Sequence, residues 1–152
     1  MDIDKLSTGT CAISRGLALV GDTWSALILR DAGRGMTQFD QFRVSLGIAP
    51  NILSRRLKSL TEAGVLERRR YSERPPRDEY VLTNAGVDFL PILAAIGEWG
   101  RTHNGDGVLG HIEDAHTGET VQAIVVDGRT GKRARPETWR VVMPMRQDDA
   151  GG

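Results

Sequence analysis

Residues 48–86 constrain the fold more than any other part of the chain, because they spell out a helix, a hairpin and a new helix with the punctuation in place. At about 100° per residue, Leu53, Leu57 and Leu60 fall on one side of a helix, and Asn51, Arg55, Lys58 and Glu62 fall on the other, with Ser54 at its flank. Pro50 suits the first turn, where its missing N–H would have no partner anyway, and Gly64 is the expected stop. A basic strand through Arg68, Arg69 and Arg70 follows, then a tip, Ser72-Glu73-Arg74-Pro75-Pro76-Arg77, then a second strand from Asp78 to Leu82. Thr83 opens the next helix.

Charge sharpens this reading. The 152-residue chain carries Lys+Arg 20 against Asp+Glu 20 and is formally neutral. Residues 48–77 nevertheless hold eight basic side chains (Arg55, Arg56, Lys58, Arg68, Arg69, Arg70, Arg74, Arg77) against Glu62, Glu67 and Glu73. A local basic zone attracts a phosphate backbone, while overall neutrality limits indiscriminate sticking. A helix with one apolar and one basic face, followed by an arginine-tipped hairpin, fits double-stranded DNA: the helix in the major groove, the hairpin on adjacent phosphates. The expected DNA contacts are Pro50, Asn51, Ser54, Arg55 and Lys58 on the helix and Arg70, Arg74 and Arg77 on the wing. A surface helix with a merely solvated face is the plainer alternative. A winged helix used for protein–protein contact would show an apolar or acidic outer face instead.

Ahead of this segment, Ile13, Leu17 and Val20 mark a helix over residues 12–20, and Asp22 or Thr23 caps another from Trp24 to Asp31, with Trp24, Leu27 and Ile28 apolar. Thr37 caps a third, from Gln38 to Ser45, that turns Phe39 and Phe42, with Leu46, inward. Three short helices before a hairpin make a helix-turn-helix with a wing. After Thr83 a helix to about His103 is apolar over most of its circumference, so it is expected to be buried on more than one side. A second copy of the chain, or the chain's own C-terminal segment, could cover it.

With these residues in view, the stretch from Cys11 to about Trp99 resembles the HxlR-type winged helix-turn-helix regulators, a branch of the MarR-like bacterial repressors and activators. The likeness rests on Cys11, Gly21-Asp22-Thr23-Trp24, Ile28-Leu29-Arg30, Gly35 with Phe39, and Ile48-Ala49-Pro50. It continues through Leu53-Ser54-Arg55-Arg56-Leu57, Gly64-Val65-Leu66-Glu67-Arg68 and Pro75-Pro76-Arg77-Asp78-Glu79-Tyr80-Val81-Leu82-Thr83. The resemblance implies a homodimer on a pseudo-palindromic operator, a transcriptional role and a small-molecule effector or thiol response. Thr23, Gln38 and Asp78 depart from the family pattern, where lysine, arginine and an apolar residue are common. The expected dimer interface is Leu17, Leu90, Leu93, Ile96 and Trp99. In several such regulators a cysteine placed like Cys11 senses oxidants or electrophiles; as a residue alone, Cys11 equally fits a small packed hydrophobe.

The expected fold is therefore mainly α (α+β): a flexible arm (1–10), a winged DNA-binding and dimerisation domain with a long C-terminal helix (11–104), a small β-rich appendage (105–147) and a disordered tail (148–152). In the appendage, Val121–Val126 and residues 139–143 read as strands about an Asp127-Gly128 turn. Some family members add a small zinc-ribbon-like unit with paired cysteines in this place; here the cysteines are absent, and His111, His116, Glu113 and Asp114 make a poor ligand set. No internal repeat stands out. No metal, cofactor or catalytic residue is expected, and an enzyme with its site in the appendage is the weaker alternative. Met1-Asp2-Ile3-Asp4-Lys5-Leu6 lacks the apolar core of a signal peptide, no run reaches membrane-span length, and a single cysteine fits a reducing compartment, so a cytoplasmic location without membrane contact is expected.

Overall fold

In the computed structural model, which describes residues 2–144, the chain forms α1 (Ile3–Thr8), α2 (Ala12–Val20), α3 (Thr23–Gly33), α4 (Phe39–Leu46), α5 (Pro50–Glu62), β1 (Leu66–Glu73), β2 (Pro76–Leu82) and α6 (Asn84–His103). It divides into two compact units, Leu19–Ala123 and a second made of the segments on either side of it. The first unit is a winged helix-turn-helix. Its core is Val20, Ile28, Leu29, Phe42, Ile48, Leu53, Leu57, Leu60, Val65 and Leu66, with Trp24, Phe39, Tyr80, Leu82, Phe89 and Leu93 packed half-buried against it.

Local chemistry fixes each corner. The Asp22 carboxylate accepts the Ser25 N–H at 2.9 Å and caps α3. Gln38, not Thr37, is the cap of α4, so this helix begins one residue later than expected; the Gln41 Oε1 accepts the N–H groups of Thr37 (2.9 Å) and Gln38 (3.0 Å). Gly47 takes the left-handed conformation (φ 61°) that ends α4, and Ile48 plugs the corner before α5 starts at Pro50. Leu53, Leu57 and Leu60 are fully buried, which fixes the rotation of α5 about its axis. Gly64, at φ 73°, closes it.

A fully buried carboxylate joins α3 to α4. Asp31 accepts from the Arg30 Nε at 2.9 Å, lies 3.2 Å from Arg34 Nη1, and receives the Ser45 hydroxyl at 2.7 Å. A buried charge persists only when paired and hydrogen-bonded, and these three donors meet that requirement.

Strands β1 and β2 form one antiparallel ribbon in which Leu66 faces Leu82 and Arg70 faces Asp78; the register then shifts, so Tyr71 is bulged and Ser72 faces Arg77. At the far end the Thr83 hydroxyl lies 2.6 Å from the Gly64 carbonyl and 3.1 Å from that of Val65, and it accepts the Gly86 N–H at 3.2 Å to cap α6. Glycine is needed at 86: a Cβ there would collide with the Val65 carbonyl oxygen and lie 2.8 Å from the Leu82 side chain.

Three expectations need correction. The first ten residues, expected as an arm, contain α1, capped by the Asp2 side chain. In the appendage the expected strands do not form: among the described residues there are only two isolated bridges, Glu113 with Thr120 and Val126 with Arg133, plus a 3-10 turn at Pro136–Thr138. Apolar alternation at Val121–Val126 has no neighbouring strand to pair with, and alternation alone does not make a ladder. A short repeat is also present. Asp114-Ala115-His116-Thr117-Gly118 and Asp127-Gly128-Arg129-Thr130-Gly131 fold into the same turn. The Asp114 side chain accepts the N–H groups of His116 and Thr117, and the Asp127 side chain that of Arg129; in each turn the threonine hydroxyl accepts the N–H two residues on, and the glycine has positive φ. The expected tail, 148–152, lies outside the described residues. Among those residues no single helix is long and apolar enough to cross a membrane.

Candidate nucleic-acid interface

Burial of Leu53, Leu57 and Leu60 leaves Pro50, Asn51, Ser54, Arg55 and Lys58 exposed together on the other side of α5. That places the five expected helix residues on one accessible face. Lys58 lies 3.7 Å from Glu62 one turn on, an exposed pair of small energetic weight. Arg55 has no carboxylate partner among the described residues. Arg56, another basic residue of this segment, is turned toward the cap of α3, its Nε 3.5 Å from the Asp22 carboxylate. A groove of about 520 Å³ runs between these two helices, lined by Trp24, Ile52, Arg55, Arg56, Lys58 and Glu62.

The ribbon sorts its arginines into two groups. Arg68 and Arg70 share the Asp78 carboxylate, with Arg68 Nε 2.8 Å from Oδ2 and Arg70 Nε 2.7 Å from Oδ1; Arg70 also lies 3.6 Å from Glu73. These guanidinium groups, Arg70 foremost, hold the Asp78 carboxyl below its usual range. Arg69 pairs with Glu67 at 3.0 Å. Arg74 and Arg77, at the tip, have no carboxylate partner among the described residues and are exposed. Of the three wing residues expected, two are therefore unpaired and Arg70 is engaged. In the sequence Asp78 is only a departure from the family pattern; the strand register places it opposite Arg70.

On α6, Leu90 and Leu93 are half-buried, and Leu93 packs on the unit's own core. Ile92, Ile96 and Trp99 face out, 52%, 55% and 65% exposed, and fall at i, i+4 and i+7 on one stripe. Ile13 and Leu17, on α2, are each 61% exposed. Cys11 precedes α2, half-buried, and hydrogen bonding to the Ser14 side chain and backbone lowers its thiol pKa. His111 meets Glu113 at 2.7 Å, but both are exposed. No group of three or more metal-ligating side chains occurs among the described residues.

The comparisons with known proteins agree with this architecture. The model of the HxlR-like helix-turn-helix family matches residues 19–107. An HTH-type transcriptional regulator of Mycobacterium tuberculosis is 43% identical over 89 residues, covering 59% of this chain and 56% of that protein. The chain thus spans about half the length of such curated relatives. One from Methanothermobacter thermautotrophicus is 33% identical over 94 residues, or 61% of this chain and 72% of its own. Among solved structures, PA1607, described as a candidate transcription factor, has a TM-score of 0.81 at 36% identity, covering 90% of this chain and 96% of its own. The redox regulator HypR in its reduced form has a TM-score of 0.59 at 27% identity over 62% of this chain and 94% of its own. With its helix-turn-helix and wing inside the matched residues, the chain belongs to the HxlR-like helix-turn-helix family.

Proposed function

We propose that this chain is a sequence-specific, double-stranded-DNA-binding transcriptional regulator that acts as a homodimer on an inverted-repeat operator in the cytoplasm. The observation that carries the reading is the two-sidedness of α5: three fully buried leucines on one face, and Asn51, Ser54, Arg55 and Lys58 exposed on the other. Arginine can pair bidentately with guanine and asparagine with adenine. The exposed tip of the ribbon adds Arg74 and Arg77 for phosphate. Residues 11–104 are the DNA-binding and dimerisation part. The stripe Ile92, Ile96 and Trp99 supplies the dimer contact, because an exposed apolar stripe of this width on a helix calls for a cover. The test is a titration of the purified chain with sites selected from random DNA. Saturable binding to a selected sequence over a random one supports the reading; equal weak binding to both contradicts it.

The same reading includes a response at Cys11. The thiol stands at the start of α2 with a lowered pKa, and thiolate is the reactive form. A redox regulator among the structural neighbours supports this choice over a purely packed cysteine. One cysteine per chain leaves a small thiol, an electrophile or the partner's Cys11 as the reactant.

A further inference from the structure

The ribbon carries five arginines, yet its geometry does not offer them equally. Arg70 lies directly opposite Asp78, and Arg68 is on the same face two residues earlier. Each oxygen of the Asp78 carboxylate takes one of them: Oδ2 takes Arg68 through both Nε (2.8 Å) and Nη2 (2.5 Å), and Oδ1 takes the Arg70 Nε (2.7 Å). The two guanidinium groups leave the Asp78 side chain only 17% exposed while they remain 59% and 44% exposed themselves. A phosphate could reach either arginine from solvent, but only by displacing the carboxylate or by settling beside its negative charge. An exposed ion pair is worth little by itself; what the carboxylate takes from a phosphate is the Nε donor of each guanidinium group and part of their combined positive charge.

We propose that Asp78 is an affinity-setting residue: it withholds Arg68 and Arg70 from DNA phosphate and leaves Arg74 and Arg77 as the phosphate contacts of the wing. The inference rests on the DNA-binding reading above. Phosphate contacts carry no sequence information, so Asp78 lowers binding to operator and random DNA by the same factor. It holds the sequence-independent part of the affinity down without touching the base-reading face of α5.

Replacing Asp78 with asparagine keeps the shape and removes the charge. For Asp78→Asn the affinity for selected and random duplexes should rise by the same factor. The rise should be larger at 50 mM than at 200 mM salt, by about threefold for each arginine released, as the salt dependence of one phosphate contact requires. In an Arg68→Ala/Arg70→Ala background the same substitution should give a clearly smaller rise, that of removing one negative charge near phosphate. Three results overturn the proposal: a rise equally large without the arginines, which is a plain charge effect; a fall, which makes Asp78 an aligner of arginines for DNA; or a change confined to the selected sequence. If Asp78→Asn melts lower than the parent chain, Asp78→Thr, a better strand former, carries the same comparison. Failure of the parent chain to bind any duplex would refute the DNA-binding reading itself, whereas binding that Asp78→Asn leaves unchanged refutes only the role of Asp78.

Discussion

Replacing Arg74 and Arg77 together with alanine should weaken DNA binding in a way set by which arginines are unpaired. Both lie at the exposed tip without a carboxylate partner among the described residues, whereas Arg68 and Arg70 are bound to Asp78 and Arg69 to Glu67. A contact to duplex phosphate contributes about −0.9 to the slope of log affinity against log salt, so losing two should flatten the slope by about 1.8. Between 50 and 200 mM salt, this difference amounts to about tenfold in the ratio of parent to variant affinity. Arg68→Ala/Arg70→Ala should change the slope by much less. Fluorescence anisotropy with a selected and a random duplex, over four or five salt concentrations, gives both slopes. Equal flattening by the two double variants would refute the sorting of the wing into engaged and available arginines. A loss on the selected duplex alone would mean that the tip reads bases.

Four further outcomes follow from named side chains. Arg55→Ala should cost about 1–3 kcal/mol on the selected duplex and flatten preference at one base position; unchanged affinity and preference in a titration of base variants would remove Arg55 from readout. Leu57 is fully buried, so Leu57→Ala should destabilise the fold by about 2–5 kcal/mol, and a urea titration showing a loss below about 0.5 kcal/mol would contradict the assigned core face. Ile96→Glu on the exposed stripe of α6 should convert a dimer to monomer in sedimentation equilibrium while leaving the circular dichroism unchanged; persistence of the dimer would place the interface elsewhere. Because Ser14 lowers the Cys11 pKa, the thiolate is favoured, and the alkylation rate should reach half its maximum at a pH below that of an ordinary thiol. Ser14→Ala should move that midpoint upward, and a midpoint unmoved by the substitution would count against the Ser14 contact.

The helix-turn-helix and its ribbon were legible in the sequence because their signals are local. The spacing of Leu53, Leu57 and Leu60 fixes the rotation of α5, Pro50 and Gly64 fix its ends, and Pro75-Pro76 after a basic strand marks the tip. What escaped depends on contacts between elements. Asp31 reads as one charge in a short helix; only folding brings Ser45, fourteen residues away, onto its carboxylate. Leu29 sits beside Ile28 in sequence, yet both are fully buried because α3 is covered on more than one side. The role of Asp78 required the strand register. In the appendage, alternation suggested strands, whereas hydrogen bonding by Asp114 and Thr117, and again by Asp127 and Thr130, favours tight turns over ladders.

The most direct test of the central claim is footprinting of the intact chain on its selected sites, with the mass of the complex measured in the same buffer. The account predicts two protected, inverted half-sites with centres about 10 bp or a multiple apart, bound by two chains. Protection of one half-site by one chain, or protection without any sequence preference, would contradict it.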